Sequence, residues 1–237
     1  MMIVHYVPIV TTIFSVFFLK EIGSHYLQKK HALYLLWWSV GVLTYGLGTL
    51  SESINTIFGW SDLNFRLWYI AGALLGGFPL AQGTVYLLLK KKTANILTIL
   101  FVTIIGIAAL FVLLSPLDTT MASDGRLTGQ VLGWRWVRYF SPFINVYSFI
   151  FLFGGAIYSA IQYKRMTSSD KRFLGNIFIA IGALLPGIGG TFTRFGHVEV
   201  LYITELFGLI AMYTGYNLMK KDPSVSVHQQ QQHVDKM

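Results

Sequence analysis

Seven apolar runs, each long enough to cross a hydrocarbon layer, alternate along this chain with short polar or charged stretches. A bilayer core of about 30 Å needs roughly 20 helical residues at 1.5 Å each. The pattern predicts helices near 3–20, 32–54, 65–89, 93–115, 141–163, 172–193 and 199–219. The expected fold class is therefore all-α: a polytopic membrane protein with one seven-helix domain over residues 1–221. Residues 222–237, with a glutamine run between His228 and His233, read as a disordered cytoplasmic tail. A composition of 54% hydrophobic and 12% charged residues leaves no stretch that reads as a soluble domain.

Charge turns the pattern into a topology. Lys20, Lys29, Lys30, Lys90, Lys91, Lys92, Lys164, Arg165, Lys171, Arg172, Lys220, Lys221 and Lys236 fall on one side of the predicted spans. Only Arg66, Arg126, Arg135, Arg138 and Arg194 fall on the other, so the positive-inside rule predicts the N-terminus out and the C-terminus in. The formal charge of +8 is then a matter of topology. The basic residues form short clusters beside spans and no continuous basic face with stacking aromatics, which argues against a nucleic-acid partner. No basic residue precedes helix 1 and no small-x-small site follows it, so it reads as an uncleaved span. The sequence contains no cysteine, which excludes disulfides, thiol catalysis and thiolate metal sites.

Helices 1 and 5 begin alike, at Pro8-Ile-Val-Thr-Thr-Ile-Phe14 and Pro142-Phe-Ile-Asn-Val-Tyr-Ser-Phe149. Helices 2 and 6 share Gly41-x-Leu43-x-x-Gly46-x-Gly48 and Gly182-x-Leu184-x-x-Gly187-x-Gly189; helices 3 and 7 share Leu67-Trp-Tyr69-Ile70 and Leu201-Tyr202-Ile203. If these matches mark a duplication of 3–89 and 141–219, two parallel three-helix bundles are joined by helix 4. Such a 3+1+3 plan resembles PQ-loop and SWEET-type carriers, and more distantly rhodopsins; this chain has neither the Pro-Gln dipeptide nor a mid-depth lysine in helix 7. Trp38-Ser-Val-Gly41 and Arg66-Leu67-x-Tyr69-x-x-Gly72-Ala-Leu-Leu75 resemble the seven-helix sensor modules that precede bacterial histidine kinases. This second resemblance covers about a quarter of the chain. It implies a stand-alone sensor or accessory subunit acting through a partner protein, in a prokaryotic plasma membrane. The helix-2 glutamate stands about two turns later than in that pattern.

Ionisable groups at membrane depth survive only with a partner or in a wet cavity, so they are the default candidates for function. They are His5, Glu52, Arg66, Arg194 and Glu205, all in the predicted outer half, with aromatic neighbours Tyr69 and Tyr202. Reach along the helices pairs Arg194 with Glu205 and Arg66 with Glu52, as ligand-binding groups or as ion pairs that lock helices. Trp38, Gly41, Tyr45, Gly48 and Glu52 form one stripe on helix 2. A second stripe on helix 6 runs through Ala180, Ala183, Gly187, Gly190 and Arg194. The inner half is expected to hold no titratable residue, which argues against a proton path.

Gly133-Trp-Arg-Trp-Val-Arg138 suits an amphipathic stretch on the outer surface, as an anchor or a lid. No metalloprotease, phosphate-loop, dinucleotide or glycine-flanked serine motif occurs, and no cofactor or metal is expected. The reading that follows is a non-catalytic protein binding a small-molecule or lipid ligand in an outward-facing polar pocket. The alternatives are a facilitative carrier and an outer-leaflet lipid-modifying enzyme. Because the chain lacks cysteine, topology has a direct test. In intact cells a membrane-impermeant maleimide is expected to label Gln130→Cys and to spare Lys91→Cys until the membrane is opened.

Overall fold

The computed structural model describes residues 3–29, 32–122, 127–165, 170–193 and 195–222. Seven helical segments are long and apolar enough to cross a membrane: α1 (Ile3–Gln28), α2 (Leu33–Phe58), α3 (Asp62–Leu88), α4 (Lys91–Leu114), α5 (Arg135–Arg165), α6 (Asp170–Thr193) and α7 (Val198–Lys220). No extended strand occurs among the described residues, where the chain otherwise makes short turns and one isolated bridge between Leu117 and Leu132. The most apolar helix, α4, is among the least buried, and α3, among the least apolar, is the most buried. A water-soluble bundle has the opposite order. Here hydrocarbon can cover the apolar faces, and the protein interior takes the small and polar residues.

Packing runs from α1 to α2, α2 to α3, α3 to α5, α5 to α6, α6 to α7 and α7 back to α1, with α4 laid against α3 and α5. The tightest seam joins α6 and α7 on glycines seven residues apart. A Cβ on Gly182 would lie 2.6 Å from the Gly208 carbonyl oxygen, and one on Gly175 would lie 2.9 Å from that of Gly215. Two turns further, Gly189 faces the backbone of Leu201 at 2.7 Å. Glycine spacing of seven keeps one narrow strip of α6 against α7 over the whole contact. The predicted helix-6 stripe is therefore only partly the packed one. Ala180 is buried, but Gly187 and Gly190 meet nothing within 4 Å of a Cβ.

On α2 the predicted stripe is the buried face: Trp38, Gly41, Tyr45, Gly48 and Glu52 all face inward. Gly41 receives Leu80, and a Cβ on Gly48 would stand 3.3 Å from Gly72 Cα, so α2 and α3 touch backbone to backbone. Beside that contact α3 is irregular, with a π-helical segment Tyr69–Leu74 and a break before Phe78. Pro79 has no N–H to offer the carbonyl of Leu75. Thr44 Oγ1 donates to that carbonyl from α2 at 3.4 Å, and Ser141 Oγ donates to the Ala73 carbonyl from α5 at 3.0 Å.

Several helices overrun the predicted spans, and α1 does so furthest at a single end. It continues to Gln28, which puts Glu21 and His25 on the helix and corrects the expectation of an inner half without titratable residues. Tyr213 donates to Glu21 Oε2 at 2.7 Å, Lys220 to Glu21 Oε1 at 3.2 Å, and His25 Nδ1 lies 2.9 Å from the Tyr216 hydroxyl. These partners explain how a helix can run on past its apolar residues. Of the predicted disordered tail at 222–237, Asp222 is instead buried and paired with Arg172, and 223–237 lies outside the described residues.

The glycine seam has a measurable signature. Gly182→Val is expected to destabilise the bundle by about 1–3 kcal/mol through overpacking. Gly106→Val, at a site where a Cβ meets nothing within 4 Å, is expected to be neutral in thermal unfolding in detergent.

Candidate functional site

Two glutamates from distant parts of the sequence meet between α2 and α7. Glu52 stands six residues before the end of α2 and Glu205 seven residues after the start of α7. At helical rise both lie about 9–10 Å inside their helices, measured from the same end of the bundle. Their carboxyl groups lie within reach of a hydrogen bond to each other. Such a bond requires a proton on one of the two, because two carboxylates can only accept.

Indole and phenol complete the frame. Trp68 Nε1 donates to Glu52 Oε1 at 3.0 Å from α3. The Tyr45 hydroxyl, two helical turns below Glu52 on the same stripe, donates to the backbone carbonyl of Glu205 at 2.8 Å. Glu52 is 2% exposed and Glu205 half-buried. No N–H or hydroxyl of the described residues reaches Glu52 Oε2 or Glu205 Oε2, although both atoms are enclosed. A buried acceptor left in this state costs about 1–3 kcal/mol, so the arrangement is suited to receiving a donor or a cation.

An aromatic wall stands beside the pair. Phe65 lies within 6.2 Å, centroid to centroid, of Trp60, Trp68 and Tyr69. The π-helical segment begins at Tyr69, directly after Trp68. A π-turn inserts a residue into the helical repeat and so re-aims the side chains around it. Across the site the His5 ring meets Tyr202 edge-on at 6.3 Å, and the His5 carbonyl accepts from Thr56 Oγ1 at 3.1 Å. Tyr69 also lies under the α4–α5 link, where a Cβ on Gly129 would come within 3.0 Å of its ring.

The expected pairing of acids with arginines is corrected at one position. Arg66 does not bond Glu52; its guanidinium caps the end of α4, donating to the carbonyls of Val112, Leu113 and Ser115. A helix C-terminus presents several carbonyls with no donor of their own, and a guanidinium fork can serve several of them. Arg194, the expected partner of Glu205, lies outside the described residues. Ion pairs among the described residues are Arg172–Asp222 and Lys220–Glu21, both remote in sequence from the glutamate pair. No three His, Asp or Glu side chains among the described residues gather as a metal-ligand set.

Trp68 and the direct Glu52–Glu205 contact escaped the sequence reading. The signal for the contact was the equal depth of the two acids from one end of the bundle. Charge complementarity alone favours an arginine partner for each and overlooks that two carboxyls can share a proton. In comparisons with known proteins, no family model matches the chain, and no significant match is found among curated proteins or solved structures.

The hydrogen bond between the acids predicts an order among substitutions. Glu52→Gln, whose amide can donate to Glu205 without a shared proton, is expected to stay within about 1 kcal/mol of the parent. Glu52→Leu, which leaves Glu205 enclosed with no donor, is expected to lose about 2–3 kcal/mol in the same thermal unfolding measurement.

Proposed function

We propose that this protein is a seven-helix membrane sensor or accessory subunit that binds a small organic cation, such as a protonated amine, at the Glu52–Glu205 pair and catalyses no reaction. The observation that carries this reading is the pair of enclosed carboxyl oxygens that no N–H or hydroxyl of the described residues reaches. An ammonium group has three N–H donors and the opposite charge, so it would meet both oxygens where the unliganded pair offers them only a shared proton. The cluster of Trp60, Phe65, Trp68 and Tyr69, joined to the pair through Trp68, gives the site an aromatic surrounding that favours an organic cation over a hydrated metal ion. With the orientation implied by the lysines and arginines, the pair lies in the outer half of a prokaryotic plasma membrane.

A sensor also needs a route to its other end, and α7 supplies one. The same helix that carries Glu205 carries Tyr213, Tyr216 and Lys220, which hold Glu21 and His25 of α1. From Glu205 to Lys220 is about 22 Å of continuous helix. Its seam with α6 seats Met212, Met219 and Thr204 against glycines of α6, so a small shift along or about its axis moves these side chains over backbone that carries no opposing Cβ. A partner protein would read that shift at the Lys220 end. This agrees with the resemblance to histidine-kinase sensor modules.

One observation favours a second reading, a facilitative carrier. Gly41 and Gly48 of α2 meet α3, and the matching Gly182 and Gly189 of α6 meet α7. The neighbour pairs α3–α5 and α7–α1 also exchange under the same match. Two three-helix units related in this way could rock about a central site.

A panel of alkylamines titrated into the protein in nanodiscs separates the readings. Saturable binding is expected, weakened about 10–100-fold in Glu52→Gln or Glu205→Gln, the worth of one charge-assisted hydrogen bond. Equal affinity in the Glu52→Gln/Glu205→Gln double variant would sink the cation site. Amine flux down its gradient in proteoliposomes would replace the sensor with the carrier.

A further inference from the structure

The α4–α5 link encloses a hollow of about 340 Å³ at the end of the bundle nearer the glutamate pair. Asp118, Gln130, Arg135 and Arg138 line it, with Met121 and Leu132 as apolar wall. Its frame is held by the backbone. Asp118 N donates to the Val131 carbonyl at 2.8 Å, Gly133 N donates to the Pro116 carbonyl at 2.8 Å, and Leu117 bridges Leu132. A Cβ on Gly133 would stand 2.9 Å from the Pro116 oxygen, so the two segments are as close as backbones allow. Trp134 N is held by Ser115 Oγ at 3.1 Å, and Arg66 caps the last carbonyls of α4 beneath.

Among the described residues neither Arg135 nor Arg138 has a side-chain hydrogen bond or ion pair, and both are exposed. Asp118 Oδ1 accepts from the amide and hydroxyl of Thr120, at 3.1 and 2.5 Å, which fixes the carboxylate at the rim. The depth of the hollow is marked by aromatics. Trp134 and Trp136 are exposed and stack at 6.2 Å, and Trp136 meets Phe111, near the end of α4, at 4.8 Å. Tryptophans at the end of a membrane-crossing helix sit at the level of lipid headgroups.

We propose that this hollow binds the headgroup of a zwitterionic phospholipid, its phosphate held by Arg135 and Arg138 and its ammonium directed to Asp118. Two guanidinium groups match a phosphate diester, whose oxygens accept several N–H donors at once. One carboxylate on the same rim selects for a headgroup that also carries an amine. The acyl chains would then run down the exposed apolar side of α4, where Leu110, Leu113 and Leu114 face outward.

Native mass spectrometry tests this on protein extracted from nanodiscs of equal phosphatidylethanolamine and phosphatidylglycerol. The wild type is expected to retain phosphatidylethanolamine about fivefold over phosphatidylglycerol, the scale of one exposed charge contact. The Arg135→Gln/Arg138→Gln variant, altered only at exposed residues, is expected to lose retained lipid at unchanged melting temperature. Asp118→Asn is expected to keep lipid but lose the preference. Equal retention of both lipids by the wild type, or unchanged retention in the double variant, would overturn the site. Saturable binding of soluble phosphoethanolamine to the delipidated protein, with no lipid preference, would place the ligand in solution and overturn the lipid assignment.

Discussion

Inside a hydrocarbon layer a polar group has only the protein for a partner, and much of this molecule's irregularity follows from that constraint. Pro79 frees the carbonyl of Leu75, and Thr44 of the next helix donates to it. Leu113 and Ser115 at the end of α4 leave carbonyls open, and Arg66 of α3 donates to both. Gln82, fully buried, gives its amide to Thr98 and the Ala94 carbonyl and takes the Tyr147 hydroxyl. In each case the donor and acceptor belong to different helices, so satisfying the backbone also fixes which helices are neighbours.

The glutamate pair obeys the same constraint incompletely. One bond to each other, one indole donor on Glu52 and a hydroxyl on the neighbouring carbonyl hold α2, α3 and α7 together, yet two oxygens stay without an N–H or hydroxyl donor among the described residues. An ion pair with Arg66 would have removed that deficit, but the guanidinium serves the end of α4. Two acid oxygens left in this state at one place, unlike the scattered single atoms of Trp38, Asn64 and Asn217, are the physical reason to treat the pair as a receiving site. The opposite end of α7 differs, since Glu21 there has both a tyrosine and a lysine.

Two devices let the backbones approach closely enough for these bonds to form. Glycines seven apart on α6 and α7 bring carbonyl oxygens against the opposing helix, and Gly48 does the same for α2 against Gly72 of α3. Close approach gives dispersion contact in a medium where apolar burial gives little.

Length, apolar periodicity and the placement of lysine and arginine were enough to predict seven helices, the buried stripe from Trp38 to Glu52, and the unusual status of Glu52 and Glu205. Those properties are local: each depends on how one helix meets lipid or protein. The sequence alone did not decide that the two acids face each other, that Trp68 supplies the donor, or that Arg66 turns to α4. Nor did it decide which glycines on α6 form the seam, or that α1 carries Glu21 and His25 to Tyr213 and Tyr216. These depend on helix rotation and vertical register between segments far apart in the chain. A register shift of one turn, about 5.4 Å, would change every partner without changing the pattern that made each helix legible.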